Sequence, residues 1–345
     1  MSRRYPALAT GMVAAAAVTM VVAGCSSSSS SSSTTSSSSS PSSASSPSSA
    51  SASGKSLELV VGTKSDDFYV TMECGAEAEA KTLGVNLTVT GPADFSASEQ
   101  APILNAVAVS KPDALIVAPT DSSALNPELS RIAAEGVKLV FVDTTTSDPS
   151  VAVSHITSNN VAGGALAADS LAQAIGGKGT VAVIDVNPGI STTDARIQGF
   201  AQEMKAKYPN ITVLSTQYDN DSSATAASQV SGDIVAHPNL SGVFATNVLS
   251  AQGAATGVQH SGKSGSVKVA TFDADPQQMQ ALQSNIIQLA VAQSPYLEGQ
   301  DGVEQAVNSL EGKPVTANIG TPLVTITRQN MNSAASQAAV YKSSC

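Results

Sequence analysis

The chain has 345 residues, with 17 Lys and Arg against 27 Asp and Glu and a formal net charge of -10. Aromatic residues make up 3 % of it and Trp is absent. Neither a phosphate-neutralising surface nor a base-stacking platform is on offer, which excludes nucleic acid as a partner.

The N-terminus reads MSRRYPALATGMVAAAAVTMVVAGC. Arg3 and Arg4 precede an apolar run from Ala7 to Ala23 that is short for a bilayer span of roughly 20 residues and ends in small side chains, so residues 1–24 read as an export signal. Val22-Ala23-Gly24-Cys25 resembles the bacterial lipobox, which implies that Cys25 is lipidated and becomes the mature N-terminus, anchored at the outer face of the cytoplasmic membrane. Residues 25–54 are dominated by Ser and hold no side chain able to build a core, so a disordered linker is expected. As a flexible coil of about 28 residues it reaches roughly 30 Å, enough for a tether. A glycosylated or adhesive stalk fits the same composition.

The body, Lys55 to Cys345, has the length of about two domains. LELVVG is a short apolar run closed by Gly62 and predicts a buried strand. Residues 67–83 are rich in helix formers, with Gly84 as their stop. VNLTVT is a strand, 97–110 a helix, ALIVAP a strand, and SSALNPELSRIAAEG a helix closed by Gly136. VKLVFVD is a strand ending in Asp143, and a short strand at 153–156 leads into the helix NVAGGALAADSLAQAIG. The series then restarts with the strand TVAVIDV and the helix STTDARIQGFAQEMKAKY. ITVLSTQY, SGVFATN, SVKVATFD and IIQLAVAQ are strands, separated by helices at 223–236, 248–260 and 275–284. A helix over 296–310 and short strands near 314–318 and 322–326 complete the order. This alternation predicts an α/β protein with parallel sheets, and the apolar strands without period-two patterning predict helices on both sheet faces. The restart after residue 157 predicts two doubly wound lobes, with ligands beyond the carboxyl ends of the strands.

Residues 257–264, GVQHSGKS, match the phosphate-loop pattern G-x-x-x-x-G-K-S. A phosphate loop needs a strand before it and a helix starting at its Lys-Ser, whose N–H groups face the phosphates. Here the helical stretch precedes and the strand SVKVATFD follows, so Lys263 is expected at a helix C-terminus and no nucleotide is expected.

The strand ends carry a consistent chemistry. Asp66, Phe68 and Tyr69 follow the first strand, Asp121 the third and Asp143 the fourth; Asp194 and Arg196 follow TVAVIDV; Asn247, Phe272, Asp273 and Gln293 end later strands. Carboxylates, a guanidinium and amides together satisfy hydroxyls that both donate and accept, and aromatic faces cover the C–H side of a sugar ring. Each residue alone is equally a helix cap or a solvated loop position, and Asp121 fits that reading better; the shared position of the set favours a site. His155, His237 and His260 fall outside it. No zinc spacing, nucleophile elbow or dinucleotide turn occurs, so no metal, cofactor or enzymatic activity is expected. With Cys25 assigned to lipid, Cys74 and Cys345 are disulfide candidates in an exported chain, the alternative being one buried and one frayed terminal thiol.

In order and spacing, VVGTKSDDFYVTMECGAEAEAKTLGVNLTV, LIVAPTDSSAL, VSHITSNNVAGG, DARIQGF, VFATN, VATFDADP and LAVAQSP resemble the type I periplasmic binding proteins of the ribose-binding kind, which share their fold with the ligand-binding part of the lac repressor. The resemblance covers residues 57–327. It implies a two-lobed flytrap with a three-strand hinge that closes on a monosaccharide and presents it to an ABC permease, as a monomer. The implied lobes are 55–157 with 294–322, and 158–293 with 323–345. By position, Phe68 and Tyr69 match the aromatic pair that sandwiches the ring, and Phe272 the stacking ring of the second lobe. Asp66, Asp143, Arg196, Asn247, Asp273 and Gln293 match ligand-bonding positions. In the first lobe Thr144 stands where the family's ribose binders have Arg, Ala118 where they have Asn, and Asp66 where Asn is frequent; in the second lobe Asn247-Val248 stands where many relatives have Asn-Asp. These put ribose itself in doubt and leave other sugars and polyols open. The final segment RQNMNSAASQAAVYKSSC is expected to return to the first lobe and join Cys345 to Cys74. A receptor subunit that binds a sugar or autoinducer and feeds a membrane sensor is the alternative function.

Overall fold

The computed structural model describes residues 51–345; the export signal, Cys25 and the linker up to residue 50 lie outside the described residues. The chain first lays down β1 (Ser56–Val60), α1 (Asp67–Leu83), β2 (Asn86–Thr90), α2 (Ala97–Ser110), β3 (Ala114–Val117), α3 (Asn126–Ala134), β4 (Lys138–Val142) and β5 (Ser154–Ser158). It then crosses to a second series: α4 (Asn160–Ala174), β6 (Gly179–Asp185), α5 (Ser191–Lys207), β7 (Ile211–Val213), β8 (Gln217–Tyr218), α6 (Ser223–Ala236), β9 (Leu240–Ala245), α7 (Val248–His260), β10 (Lys268–Phe272), α8 (Pro276–Gln283) and β11 (Leu289–Ala292). It returns through α9 (Pro295–Leu310) and β12 (Asn318–Thr321), then crosses a third time into β13 (Val324–Ile326) and α10 (Ala334–Ala338).

Two sheets result. The first has the order β12-β5-β4-β3-β1-β2, all parallel. The second has the order β13-β11-β10-β9-β6-β7, with β8 also paired to β6. Its strands are parallel except β13, which runs antiparallel to β11. The antiparallel edge of the otherwise parallel second sheet has a topological reason. The chain leaves the carboxyl end of β12 and enters the second sheet two residues later, with no helix to carry it to the far side, as a parallel connection requires. The expected single strand ITVLSTQY is also divided: β7 pairs with the start of β6 and β8 with its end.

Local signals set the helix ends. Asp66 accepts a hydrogen bond from the N–H of Phe68 at the start of α1, and Gly84 ends it in the left-handed conformation at φ 68°. In each lobe a helix pair approaches to backbone contact through reciprocal glycines. A Cβ at Gly75 of α1 would overlap the Tyr296 carbonyl, and one at Gly299 of α9 the Met72 carbonyl. Gly164 of α4 and Gly199 of α5 meet the Arg196 and Val161 carbonyls in the same way. Each pair joins a helix that enters after a crossing (α9, α4) to a helix that carries cleft residues (α1, α5).

The three crossings meet at one buried carboxyl. Glu298, in the first turn of α9, accepts from Thr321 Oγ1 at 2.9 Å and Ser158 Oγ at 3.3 Å. Burial pushes it well above the ordinary carboxylate range, and the nearby Asp143 charge adds to the push. The GVQHSGKS stretch ends α7 at His260, turns through Gly262 at φ 64° and enters β10 at its amino end, opposite the strand ends that face the cleft. Lys263 is exposed, and its backbone N–H closes the helix on the Val258 carbonyl.

Candidate functional site

Between the two lobes lies a narrow, half-enclosed cleft lined by residues of both. Asp66, Phe68, Tyr69, Phe95 and Asp143 line it from the first lobe; Ile190, Thr193, Arg196, Asp221, Asn247 and Asp273 line it from the second; Gln293 stands at a crossing. A wider polar mouth adjoins it, sharing Phe95, Ile190 and Asp221.

Asp143 and Asp273 are built alike. Each is the first residue past a central strand, β4 or β10, and each takes a positive φ, 57° and 74°. Each N–H still pairs with the neighbouring strand, Asp143 with the Ile156 carbonyl and Asp273 with the Val291 carbonyl, both at 2.8 Å. Asp tolerates the left-handed region better than most residues, and a cost of this kind is held where the surroundings over-determine it. Asp143 Oδ2 accepts from the Tyr69 hydroxyl at 2.7 Å. Asp273 Oδ1 accepts from Gln293 Nε2 at 2.7 Å, and the remaining Gln293 Oε1 is buried without a hydrogen-bond partner.

Arg196, 2 % exposed, is fixed on three sides. Its Nε donates to Asn160 Oδ1 at 2.8 Å and its Nη1 to the Thr246 carbonyl at 2.7 Å. Nη1 also lies 4.0 Å from Asp273 Oδ2, and the guanidinium sits 4.0 Å over the Phe272 ring. Asn247 caps α7 by accepting from the Ser250 N–H and donates to Asp221 Oδ1 at 2.7 Å.

Four carboxyls and one guanidinium therefore share this wall, and Arg196 acts on two of them, Asp143 and Asp273. Burial, then the Asp273 charge, holds Asp66 well above the usual carboxylate range. Burial pushes Asp143 up to about 6, with Arg196 and the Tyr69 hydrogen bond acting against it. Asp273 and Asp221 are raised by burial too, against Arg196 in the first case and Asn247 in the second. Such a wall is rich in acceptors and short of donors, so it suits a ligand that brings its own donated hydrogens.

The Periplasmic binding protein domain model matches residues 57–314, three quarters of the chain. The chain belongs to this family. Among curated periplasmic binding proteins it is 32 % identical over 274 residues to the ribose import binding protein of Escherichia coli, covering 79 % of this chain and 91 % of that one. It is 30 % identical over 277 residues to the ribose import binding protein of Bacillus subtilis, covering 79 % and 88 %. Among solved structures, an ABC transporter solute-binding protein from Agrobacterium vitis bound with α-D-tagatopyranose is 41 % identical with a TM-score of 0.82, covering 84 % of this chain and 99 % of that one. A carbohydrate transporter solute-binding protein from Agrobacterium radiobacter in complex with D-arabinose is 29 % identical with a TM-score of 0.80, covering 83 % and 98 %.

Of the nine residues singled out from the family resemblance, the fold brings eight to the cavity wall. The exception is Phe272. It is fully buried behind Arg196, against Gly163, so it braces the guanidinium and is not on the cavity wall. Asp121 is a local cap, accepting from the N–H groups of Ser123 and Ala124. Sequence reasoning missed Phe95, Thr193 and Asp221. Phe95 lies in the loop between β2 and α2, past the strand end itself and with no local signal. Asp221 follows β8, which was hidden inside the supposed single strand; reading β8 separately would have placed Asp219–Asp221 among the strand ends. Cys345 and Cys74 are joined by a disulfide.

Proposed function

We propose that this protein is the extracytoplasmic substrate-binding subunit of an ABC importer and that it closes on a monosaccharide or related polyol between its lobes. The observation that carries the reading is the cavity wall: four carboxyls, one guanidinium, the free Gln293 Oε1 and three aromatic rings, drawn from both lobes and suited in their chemistry to a small polyhydroxylated molecule. Ring hydroxyls donate to Asp66, Asp143, Asp221 and Asp273; the Nη2 side of Arg196 donates in return; Phe68, Tyr69 and Phe95 offer apolar faces. Its relatives are sugar-binding transport proteins and not enzymes. The lobes of this reading are residues 55–157 with 294–322 and residues 158–293 with 323–345, the last residues being fastened back onto the first lobe. Lipid at Cys25 holds the protein at the outer face of the cytoplasmic membrane, where as a monomer it meets the permease.

A thermal-shift screen against pentoses, hexoses, polyols and nucleosides tests the ligand class, since a tight ligand raises apparent stability by mass action. A shift with one or a few sugars is expected; silence toward every sugar and polyol removes the reading. The anchor is tested separately: Cys25→Ser should release the protein from the membrane fraction.

A further inference from the structure

We propose that the C-terminal segment 341–345 is a strap fastened between the lobes, and that Tyr341 is a positioning residue that sets the ligand-facing orientation of Asp273. The inference rests on the sugar-binding reading above.

Tyr341 is 3 % exposed and is held from both sides. Its N–H donates to the Ala274 carbonyl at 3.0 Å. Its hydroxyl donates to Asp273 Oδ1 at 2.8 Å and accepts from the Gln293 N–H at 3.1 Å. Its ring stands edge-on to Phe68, 5.7 Å between centroids. The next residues belong to the other lobe. The Lys342 N–H donates to Thr71 Oγ1 at 2.7 Å, Ser343 Oγ to Asp67 Oδ2 at 2.9 Å, and Cys345 is bonded to Cys74 on α1. Five residues thus touch the end of β10, the end of β11 and the helix that carries Phe68 and Tyr69.

Two consequences follow from this path. Asp273 Oδ1 is occupied by two donors, Tyr341 and Gln293, so Oδ2 is the oxygen left toward Arg196 and the cavity. Removing the Tyr341 hydroxyl leaves Oδ1 with one donor and frees the carboxylate to turn. The strap is also short. Cys345 is four residue steps from Tyr341, a stretch that when fully extended spans at most about 14 Å, so the end of β10 cannot move far from α1 while both attachments hold. A limit on opening favours the closed, ligand-holding state. Tyr341 is not on the cavity wall, so it acts through Asp273 and not by touching the ligand.

The test compares the wild-type protein with Tyr341→Phe, which keeps the ring on Phe68, and with Cys345→Ser. Titration calorimetry and stopped-flow dissociation use D-tagatose, D-ribose, D-arabinose and D-allose. For the sugar that the wild type binds most tightly, Tyr341→Phe should raise Kd about 10-fold or more, as expected for a lost hydrogen bond to a charged group, mostly through faster dissociation. Cys345→Ser, or wild type reduced with dithiothreitol, should raise Kd in the same direction by a smaller factor. A variant with a lowered melting temperature and an unchanged Kd assigns the strap a purely structural role and overturns the proposal. So does equal binding by all three proteins, which leaves the sugar-binding reading intact. A wild type that binds no sugar removes that reading first, and this inference with it.

Discussion

Asp66, Asp143, Asp221 and Asp273 crowd one small cavity with a single guanidinium among them, and burial raises every one of these carboxyls. In the ligand-free cleft that arrangement is unfavourable, because buried charge without a matching donor costs free energy. A polyol supplies the donors, so the cluster is costly alone and complementary when filled. Arg196 is the sole cation on the wall, and its Nε and Nη1 are already held by Asn160 and Thr246. Arg196→Ala should therefore weaken sugar binding about 10- to 100-fold, the loss of a charged hydrogen bond of roughly 1.5–3 kcal/mol, read by calorimetry. An unchanged Kd would move the site elsewhere. Asp66→Asn keeps an oxygen to cap Phe68 and removes a carboxyl that burial holds well above the usual carboxylate range. The ligand-free protein should melt higher with this substitution at pH 7.5 and bind sugar more weakly; a lower melting point would mean that Asp66 is stabilised by a partner other than the Phe68 N–H.

At the scale of elements, the helix pairs decide where the site residues stand. Gly75 lets α1 lie against the Tyr296 carbonyl of α9, and the same close approach recurs between α4 and α5. Gly75→Ala forces backbone apart and should cost about 1–3 kcal/mol in urea unfolding, as overpacking does; a neutral effect would show that the pair can slide. By contrast, Lys263→Ala at the exposed helix-to-strand turn should leave both stability and sugar affinity nearly unchanged. A large loss of affinity would return the phosphate-loop reading to consideration. Most elements were legible because their ends carry local signals: Asp66 before α1 and Gly84 after it bound 67–83, and Ser222 before α6 caps at Thr225. The rest depended on long-range pairing. Nothing local tells that Leu214–Thr216 separates β7 from β8, because the break follows from which part of β6 each strand meets. The direction of β13 follows from where the third crossing enters the sheet. Phe272 has a strand-end position like that of its neighbour Asp273, yet alternation along the strand turns it to the opposite side, under Arg196. Tyr341 lies far from the site in sequence and has no motif, so only the folded path of the tail reveals it.

For the whole molecule, these carboxyls set an unusual dependence on acid. Asp143 and Asp219 are each pushed up to about 6, chiefly by burial, whereas an unfolded Asp titrates near 3.9. A folded-state pKa above the unfolded one means that the native state binds the proton more tightly. The stability it contributes is fully present below about 3.9 and is lost as pH rises through about 6. Glu298 at the meeting of the crossings, with Asp66, Asp221 and Asp273, acts in the same direction. The surface carboxyls Asp113, Asp169 and Glu311 are shifted the other way, below their ordinary values, so their stabilisation is lost only under stronger acid. The net charge of -10 also shrinks as pH falls, easing self-repulsion. The ligand-free protein should accordingly melt higher at pH 5 than at pH 7.5, by on the order of 5 °C. Sugar binding has the opposite preference, because hydroxyls donate to ionised carboxylates. The sugar-induced rise in melting temperature should be largest at pH 7.5 and shrink toward pH 5. Scanning calorimetry across that range, with and without sugar, separates the two. A ligand-free melting point that falls steadily with acid, or a sugar-induced shift that grows with it, would mean that the cleft carboxyls are already compensated in the empty protein.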